Sequence, residues 1–486
     1  MATPIKFWEM HSSQASMEKM FLDSHAKEIE SVEKPELLSF LPNFDGKRIL
    51  ELGAGIGRFT GEFASKAKHV TAVEFMAKYL EVNKETNARY SNIDFLCCDV
   101  TKLHLENSYD FVFTNWLLTY LTDEEISTLL RKAVRWLPEG GHLFFRESCF
   151  FQSGDAKLGS DDPSKYRHPL SYHSFIDSAV VKEEAVGKWS SLQLVWSRSL
   201  QAYIKFKSSP NQVCWLCEKV TTDYPPNGAS EALTTQQYLY KRQSAVNTIL
   251  QYEKIFGKGY VSPGGAKVTE QLVATLDLKP GERVMDIGCR IGGADFHMAD
   301  KYDVSVLGVS QSSTMTSIAM EHGLKRHKHL QTKVQFEVCD VMAREFPDSS
   351  FDVIYSREAI VHIENKAVLF KKFHKWLKPG GRLLIGDYCC GPQPWPSDFK
   401  AYVAKRGFHL LEPVHYGKAL ENAGFDDVTA DDRTALFIES LKEEIASSEK
   451  EMKKNGEDVT VIDGLKMCQQ GYQKWGLFTA VKESHH

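Results

Sequence analysis

The sequence predicts an α/β protein of two tandem domains, each built on a mostly parallel sheet of about seven strands. Three observations carry that expectation. Two Gly-rich segments of one kind occur, ILELGAGIGRFTGEF from Ile49 and VMDIGCRIGGADFHM from Val284. In each, an apolar strand carries an acidic residue near its end, Glu51 or Asp286, and runs into closely spaced glycines that open a helix. Such a turn lets the backbone approach a ligand closely. The strands that follow recur in the same order at an offset of about 240 residues, which chance spacing would not hold over four strands and a turn. Finally, 486 residues exceed what one hydrophobic core usually covers.

In chain order, the helical stretch SMEKMFLDSHAKEIESVEKPELLSFLP precedes the first glycine loop and reads as a lid or side wall. About twenty residues past Gly53, the strand HVTAVEF ends at Glu74, where a carboxylate can accept both hydroxyls of a ribose. A third strand, IDFLCCDV, ends at Asp99 and Val100, and a fourth, YDFVFTNWLLTYL, leads into Asn115 and a helix. The segment TTDYPPNGASEALTTQ is rich in Pro, Gly, Ser and Thr and reads as a linker, which divides the chain into residues 1–222, a connection at 223–235, and residues 236–486. The second half then repeats the plan. A helical stretch, QYLYKRQSAVNTILQYEKIFGKGYVSPGG, precedes its loop; VQFEVCDV ends at Asp340 and Val341; FDVIYSREAIVHI carries Ser356, Glu358 and His362; and KWLKPGGRLLIGDYC stands where the first half has RWLPEGGHLFFRESC. The charged run ESLKEEIASSEKEMKKNGED reads as a solvated helix without a function of its own.

Composition removes several classes. A net charge of -5 argues against a nucleic-acid footprint, which needs clustered Lys and Arg on one face. No stretch approaches the roughly 18 apolar residues that span a bilayer, and the N-terminus has no long apolar core, so a cytoplasmic, monomeric enzyme is expected. The ten cysteines read as reduced, mostly buried thiols. Cys214 and Cys217 make a C-x-x-C, but with no second pair and no helix start the expectation is no metal and no redox role.

The order of the pieces separates candidate cofactors. Dinucleotide sites favour Gly-x-Gly-x-x-Gly with a helix N-terminus facing a pyrophosphate, whereas Gly53, Gly55 and Gly57 alternate and Arg58 follows at once. The acidic residue before the glycines suits the aminosulfonium of S-adenosylmethionine, and Asp99 and Asp340 suit an adenine amino group. This ordered set resembles class I S-adenosylmethionine-dependent methyltransferases, which implies a Rossmann-like fold in each half. A nicotinamide oxidoreductase remains the alternative. The cofactor set expected is Glu51, Gly53, Gly55, Gly57, Glu74, Asp99, Val100 and Asn115 in the first domain, with Asp286, Gly288, Gly292, Asp340, Val341 and Ser356 in the second.

Specificity is expected in the segments added outside the strands. The first domain offers QSGDAKLGSDDPSKYRHPLSYHSF, with Tyr166, Arg167 and Tyr172; the second offers YCCGPQPWPSDFKAYVAKRGFHL, with Tyr388, Tyr402 and Arg406. Tyrosines mixed with cations suit a small substrate with a phosphate at one end and an amine at the other, or else merely cover the sheet edge.

At FWEMHS, MFLDS, NWLLTYLTDEE, FFRESCFFQSGD and QVCWLCEKV in the first half, and QYEKIFGKGYVSPGG, WLKPGGRLLIGDYC and QKWGLF in the second, the chain resembles tandem-domain phosphoethanolamine N-methyltransferases over nearly its whole length. The resemblance implies successive methylation of phosphoethanolamine toward phosphocholine, the first step in the first domain and later steps in the second. It also implies that His362 pairs with a lid tyrosine, Tyr238, to order the site and handle a proton, with Glu358 one helical turn away. In the first domain Tyr120 matches His362, so His11, Ser12 and Tyr120 are the candidates there. The second domain departs from the family pattern. Arg290 replaces a loop glycine, Ser310 replaces the ribose acid, and about six extra lid residues let Tyr240 compete with Tyr238. The alternatives are activity in the first domain alone, a tandem methyltransferase of another small amine or a sterol, or a non-catalytic protein on two such folds.

Overall fold

The structure is a computed structural model and describes residues 4–11, 15–106, 108–156, 162–183, 187–226, 235–452 and 459–483. The chain divides into two compact units, Met1–Ser244 and Ala245–His486.

In the first unit the strands are β1 (Arg48–Leu52), β2 (His69–Glu74), β3 (Ile93–Cys97), β4 (Phe111–Asn115), β5 (His142–Ser148), β6 (Val180–Glu183), β7 (Lys188–Ser199) and β8 (Gln212–Thr222). They lie in the order β3-β2-β1-β4-β5-β8-β7, with β6 paired outside β7. The pairs from β3 to β5 are parallel, and the β5, β8, β7 and β6 pairs are antiparallel. The central strands are apolar on both faces because helices cover both sides. Helix Asp123–Trp136 shows how one cover forms: a Thr122–Glu125 capping box starts it, and Ile126, Leu129, Leu130, Ala133 and Val134 make a stripe that faces the sheet.

The second unit repeats the plan with β9 (Arg283–Ile287), β10 (Ser305–Ser310), β11 (Val334–Cys339), β12 (Phe351–Arg357), β13 (Leu377–Cys390), β14 (Asp426–Asp432) and β15 (Gln473–Val481). Their order is β11-β10-β9-β12-β13-β15-β14, parallel except for the β13, β15 and β14 pairs. In both units the chain winds to one side of the first strand and then crosses to the other. The crevice at the carboxyl ends of β1 and β4, and of β9 and β12, is therefore where such a sheet binds its ligand.

Two readings gain detail here. The charged run lies on helix Thr434–Met452, which buries Leu441 of the run and Phe437 just before it; Phe437 stacks on Trp475 at 5.8 Å. Cys214 and Cys217 lie three residues apart in β8 and therefore point to opposite faces of the sheet; both are buried, and burial raises both thiols well above their ordinary range.

Candidate active sites

The first glycine loop turns sharply out of β1, with Gly53, Gly55 and Gly57 all in the left-handed region at φ +71, +54 and +88. A Cβ at Gly55 would lie 2.4 Å from Met20 Cε, so that glycine permits close approach over the site. Gly57 serves a different purpose. A Cβ there would lie 2.3 Å from Asn83 Oδ1 and 2.6 Å from Asn87 Nδ2, so it lets helix Ala77–Thr86 dock against the turn.

These residues rim a cavity of about 110 Å³ whose lining includes Glu51, Gly53, Gly55, Glu74 and Asn115 together with Tyr120 and Tyr166. Glu51 is buried and accepts one side-chain hydrogen bond, from Thr60 Oγ1 at 2.6 Å, and burial pushes its carboxyl up to about 8. Glu74 accepts from the Gly55 and Met76 N–H groups, each at 2.9 Å, and burial raises it too. Beside it the buried Tyr79 hydroxyl, on a residue that lines the same cavity, has no hydrogen-bond partner among the described residues, its phenol raised to about 12 by burial and then by Glu74. A buried carboxylate short of a cation and an orphaned hydroxyl beside a second carboxylate suit a ligand that carries an ammonium and a sugar.

A pair of buried arginines packs at the cavity, with Arg58 in its lining. Glu33, from helix Ala26–Phe40, is completely buried and pairs with Arg58 at 3.0 Å and Arg146 at 3.2 Å. Arg146 also donates to Asn115 Oδ1 at 3.1 Å and lies 3.6 Å from the centre of the Trp116 ring. This network holds the loop after β4, where Trp116 is left-handed at φ +57.

Several expected residues lie elsewhere. Tyr172 is completely buried in the core, 5.8 Å from Phe145 and 4.9 Å from Trp215 between ring centroids, and so is corrected from a substrate contact to a packing residue. Arg167 is likewise corrected, because its guanidinium is occupied by the Leu118 and Leu121 carbonyls and by Asp123. Asp99 and Val100 do not line the cavity: Asp99 accepts from the Thr101 N–H and hydroxyl, and Val100 is buried in the core. Ser12 and the His11 side chain lie outside the described residues. Residues that sequence reasoning missed include Trp8, Met20, Arg58, Tyr79, Gln152 and Ser164, which all line the cavity. Trp8 sits in the FWEMHS motif and packs edge-on against Tyr120 at 5.5 Å.

In the second unit, Glu358, His362, Tyr388, Tyr402 and Arg406 come together in one pocket of about 260 Å³, joined by Arg290. Tyr388 stacks on Phe408, and the Arg406 guanidinium lies 4.7 Å from the Tyr402 ring centre. The crowding around His362 holds its imidazole below the ordinary range, although Nδ1 meets the Gly407 carbonyl at 3.3 Å. Asp286, Gly288, Gly292, Asp340, Val341 and Ser356 do not line this pocket. Ser356 is buried and donates to the Ile287 carbonyl, and Asp340 accepts from the Gln311 side chain and the Met342 N–H. Arg290 crosses the loop at φ +54 and donates to the Glu358 carbonyl at 3.0 Å and to its carboxylate at 3.3 Å. Asp286 faces a second buried acid, Asp295; burial raises both carboxyls, the Asp286 charge raises Asp295 further, and the hydrogen bond from Asp295 partly offsets the rise at Asp286. The side chains of Tyr238 and Tyr240, on helix Thr235–Phe256, lie outside the described residues.

Residues 49–141 and 285–385 each match a family model described as a methyltransferase domain. A phosphoethanolamine N-methyltransferase 1 of Triticum aestivum is 46% identical over 98% of this chain and 96% of its own length, and one of Arabidopsis thaliana is 43% identical over 98% and 97%. Among solved structures, phosphoethanolamine N-methyltransferase 1 of Haemonchus contortus in complex with phosphoethanolamine and S-adenosylhomocysteine shares the fold with a TM-score of 0.74 at 22% identity, over 98% of this chain and 96% of that one. Among the described residues no helix is long and apolar enough to cross a membrane. The chain belongs to the phosphoethanolamine N-methyltransferases, S-adenosylmethionine-dependent N-methyltransferases with two methyltransferase domains.

Proposed function

We propose that this chain methylates the nitrogen of phosphoethanolamine in its first domain, and that its second domain holds the phosphobase with weakened cofactor binding. The observation that carries this reading is the pair Gly55 and Arg290: at the same turn, the first loop presents no side chain and the second puts a guanidinium across it to Glu358. In the first domain Glu51 suits the ammonium of S-adenosylmethionine, Glu74 and Tyr79 suit its ribose, and the glycine turn admits both. When bound, that cofactor offers an electrophilic methyl group. In the second domain Ser310 in place of the ribose acid costs roughly 1.5 to 3 kcal/mol, one to two decades of affinity.

A second reading, with the later methylations in the second domain, draws support from the meeting of His362, Glu358, Tyr388, Tyr402 and Arg406 in one pocket. The two are separated by assaying the full chain on phosphoethanolamine and on its mono- and dimethyl forms. Accumulation of the monomethyl product supports the first reading; efficient formation of trimethyl product by a Glu51→Gln chain overturns it. The same proposal divides the chain into domains 1–222 and 236–486 about a linker, and takes the enzyme as a cytoplasmic monomer with reduced thiols.

A further inference from the structure

One wall of the first cavity is built from side chains whose hydrogen bonds run in a fixed direction. Ser148, at the end of β5, and Gln212, at the start of β8, stand opposite each other across antiparallel strands, which puts both side chains on one face of the sheet. Gln212 is completely buried. Its Oε1 accepts from the Trp116 indole N–H at 2.9 Å, and because an indole only donates, that bond settles which end of the amide is oxygen. The Nε2 end therefore carries two protons, one donated to Ser148 Oγ at 2.6 Å and the other to Ser153 Oγ. Ser153 in turn donates to Asn211 Oδ1 at 2.9 Å, and Asn211 is itself oriented by donating from Nδ2 to the Phe151 carbonyl at 2.8 Å. One hydroxyl proton is left over. The Ser148 hydroxyl accepts from Gln212 and donates to none of the described residues, and Ser148 lines the cavity.

The charges of the lining decide what that proton meets. Glu51 and Glu74 belong to β1 and β2, on the far side of β4 from Ser148, so the acids that suit the cofactor lie away from this wall. Arg58, in the same lining, is balanced by Glu30 and Glu33. Two further donors are committed: the Tyr166 hydroxyl to Asp162 at 3.2 Å, and the Gln152 amide to the Gly154 and Ala156 carbonyls at 3.0 and 2.7 Å. A hydroxyl proton needs an acceptor, which a phosphobase carries on its phosphate and not on its ammonium.

We propose that Ser148 donates a hydrogen bond to the substrate's phosphate and that Gln212 is the positioning residue that turns its hydroxyl there, an inference that rests on methylation of phosphoethanolamine in the first domain. The second unit keeps the three positions and exchanges their parts. Tyr388 and Trp475 are paired across β13 and β15 as Ser148 and Gln212 are across β5 and β8, and there the indole lies on the second strand and donates to Glu358, the match of Trp116, at 3.3 Å. An indole has one N–H, so Trp475 has none left to direct the Tyr388 hydroxyl. The directed hydroxyl belongs to the first unit.

The test is steady-state formation of the monomethyl product by the full chain. Ser148→Ala should raise KM for phosphoethanolamine about 10- to 100-fold, as expected when a charged acceptor loses one donor. Both kcat and the calorimetric affinity for S-adenosylhomocysteine should stay within about twofold, because the contact holds ground state and transition state alike. Inhibition by inorganic phosphate should weaken by the same factor as KM, and inhibition by ethanolamine should not change. Ser148→Thr, which keeps the hydroxyl, should remain within about fivefold of wild type. Gln212→Met, which frees the hydroxyl to rotate, should raise KM in the wild-type background and add less than about twofold to Ser148→Ala. A KM within about twofold of wild type in Ser148→Ala overturns the proposal, as does a loss confined to cofactor affinity or to inhibition by ethanolamine. Losses that multiply in the double variant overturn the positioning role of Gln212. If Gln212→Met does not fold, Gln212→Glu, whose carboxylate keeps the Trp116 bond and draws the Ser148 proton to itself, must raise KM as Ser148→Ala does. A wild-type chain that makes no monomethyl product overturns the underlying reading as well; an active wild type with an unchanged Ser148→Ala overturns the phosphate contact alone.

Discussion

Gly55 and Arg290 share one backbone conformation, φ +54 in both, and differ in everything else. Around Gly55 the turn carries no side chain and packs under Met20, Glu51 leans on a neutral hydroxyl, and a carboxylate ends β2. Around Arg290 the loop is bridged to Glu358, Asp286 faces another acid, and β10 ends at Ser310, whose hydroxyl is taken by the Ser312 N–H. A duplicated sheet keeps its topology because the strand order depends on many apolar positions at once. A cofactor site depends on a few side chains, so it can diverge while the fold stays. Holding a non-glycine residue in the left-handed region costs about 1 to 2 kcal/mol, and in the second loop the two hydrogen bonds to Glu358 offset it.

The comparison is broken most severely by moving the difference across. Gly55→Arg should lower S-adenosylhomocysteine affinity at least about 100-fold by calorimetry, since the side chain meets Met20 and sets a charge in a buried turn. The reverse change, Arg290→Gly with Ser310→Asp, should raise cofactor binding from one site per chain to two; stoichiometry that stays at one sinks the diagnosis. Glu51→Gln should cost about 10- to 100-fold in cofactor affinity and should also flatten its pH dependence. The sign follows from the raised carboxyl. With a value of about 8 in the free chain, Glu51 is mostly protonated at neutral pH and must lose that proton to meet an ammonium. Below that value binding releases a proton and tightens by up to about tenfold per pH unit as pH rises, a slope absent from the variant. The smallest effect on binding is expected from Gly57→Ala, which should lower stability by about 2 kcal/mol in denaturant titration, because its Cβ meets Asn83, while leaving cofactor affinity within about twofold.

Much of this was legible in the order of residues. Strand ends are marked by apolar runs that stop at polar residues, so Glu51, Glu74, Asn115 and their counterparts were found at the correct edge of each sheet. The inserts were harder. Tyr166 and Tyr172 lie six residues apart in one polar segment, yet one faces the cavity and the other fills the core. Composition is the same for both; only the helix Pro169–Ser178, which turns Tyr172 inward against Trp215, separates them. Arg167 reads as an anion grip until the carbonyls of the Tyr120 turn are seen to occupy it.

The sequence alone determined the repeated α/β plan, the glycine turns, the cofactor class and the substitutions Arg290 and Ser310, because each rests on local pattern or on residue identity at an aligned position. Tertiary structure decided which side chains share a cavity. Trp8, Tyr79, Tyr120 and Ser164 come from four segments spread over 156 residues, and no local period records that they meet. It also decided that Gly57 serves helix packing and that Arg290 reaches Glu358, since both depend on distances between parts of the chain that only folding brings together.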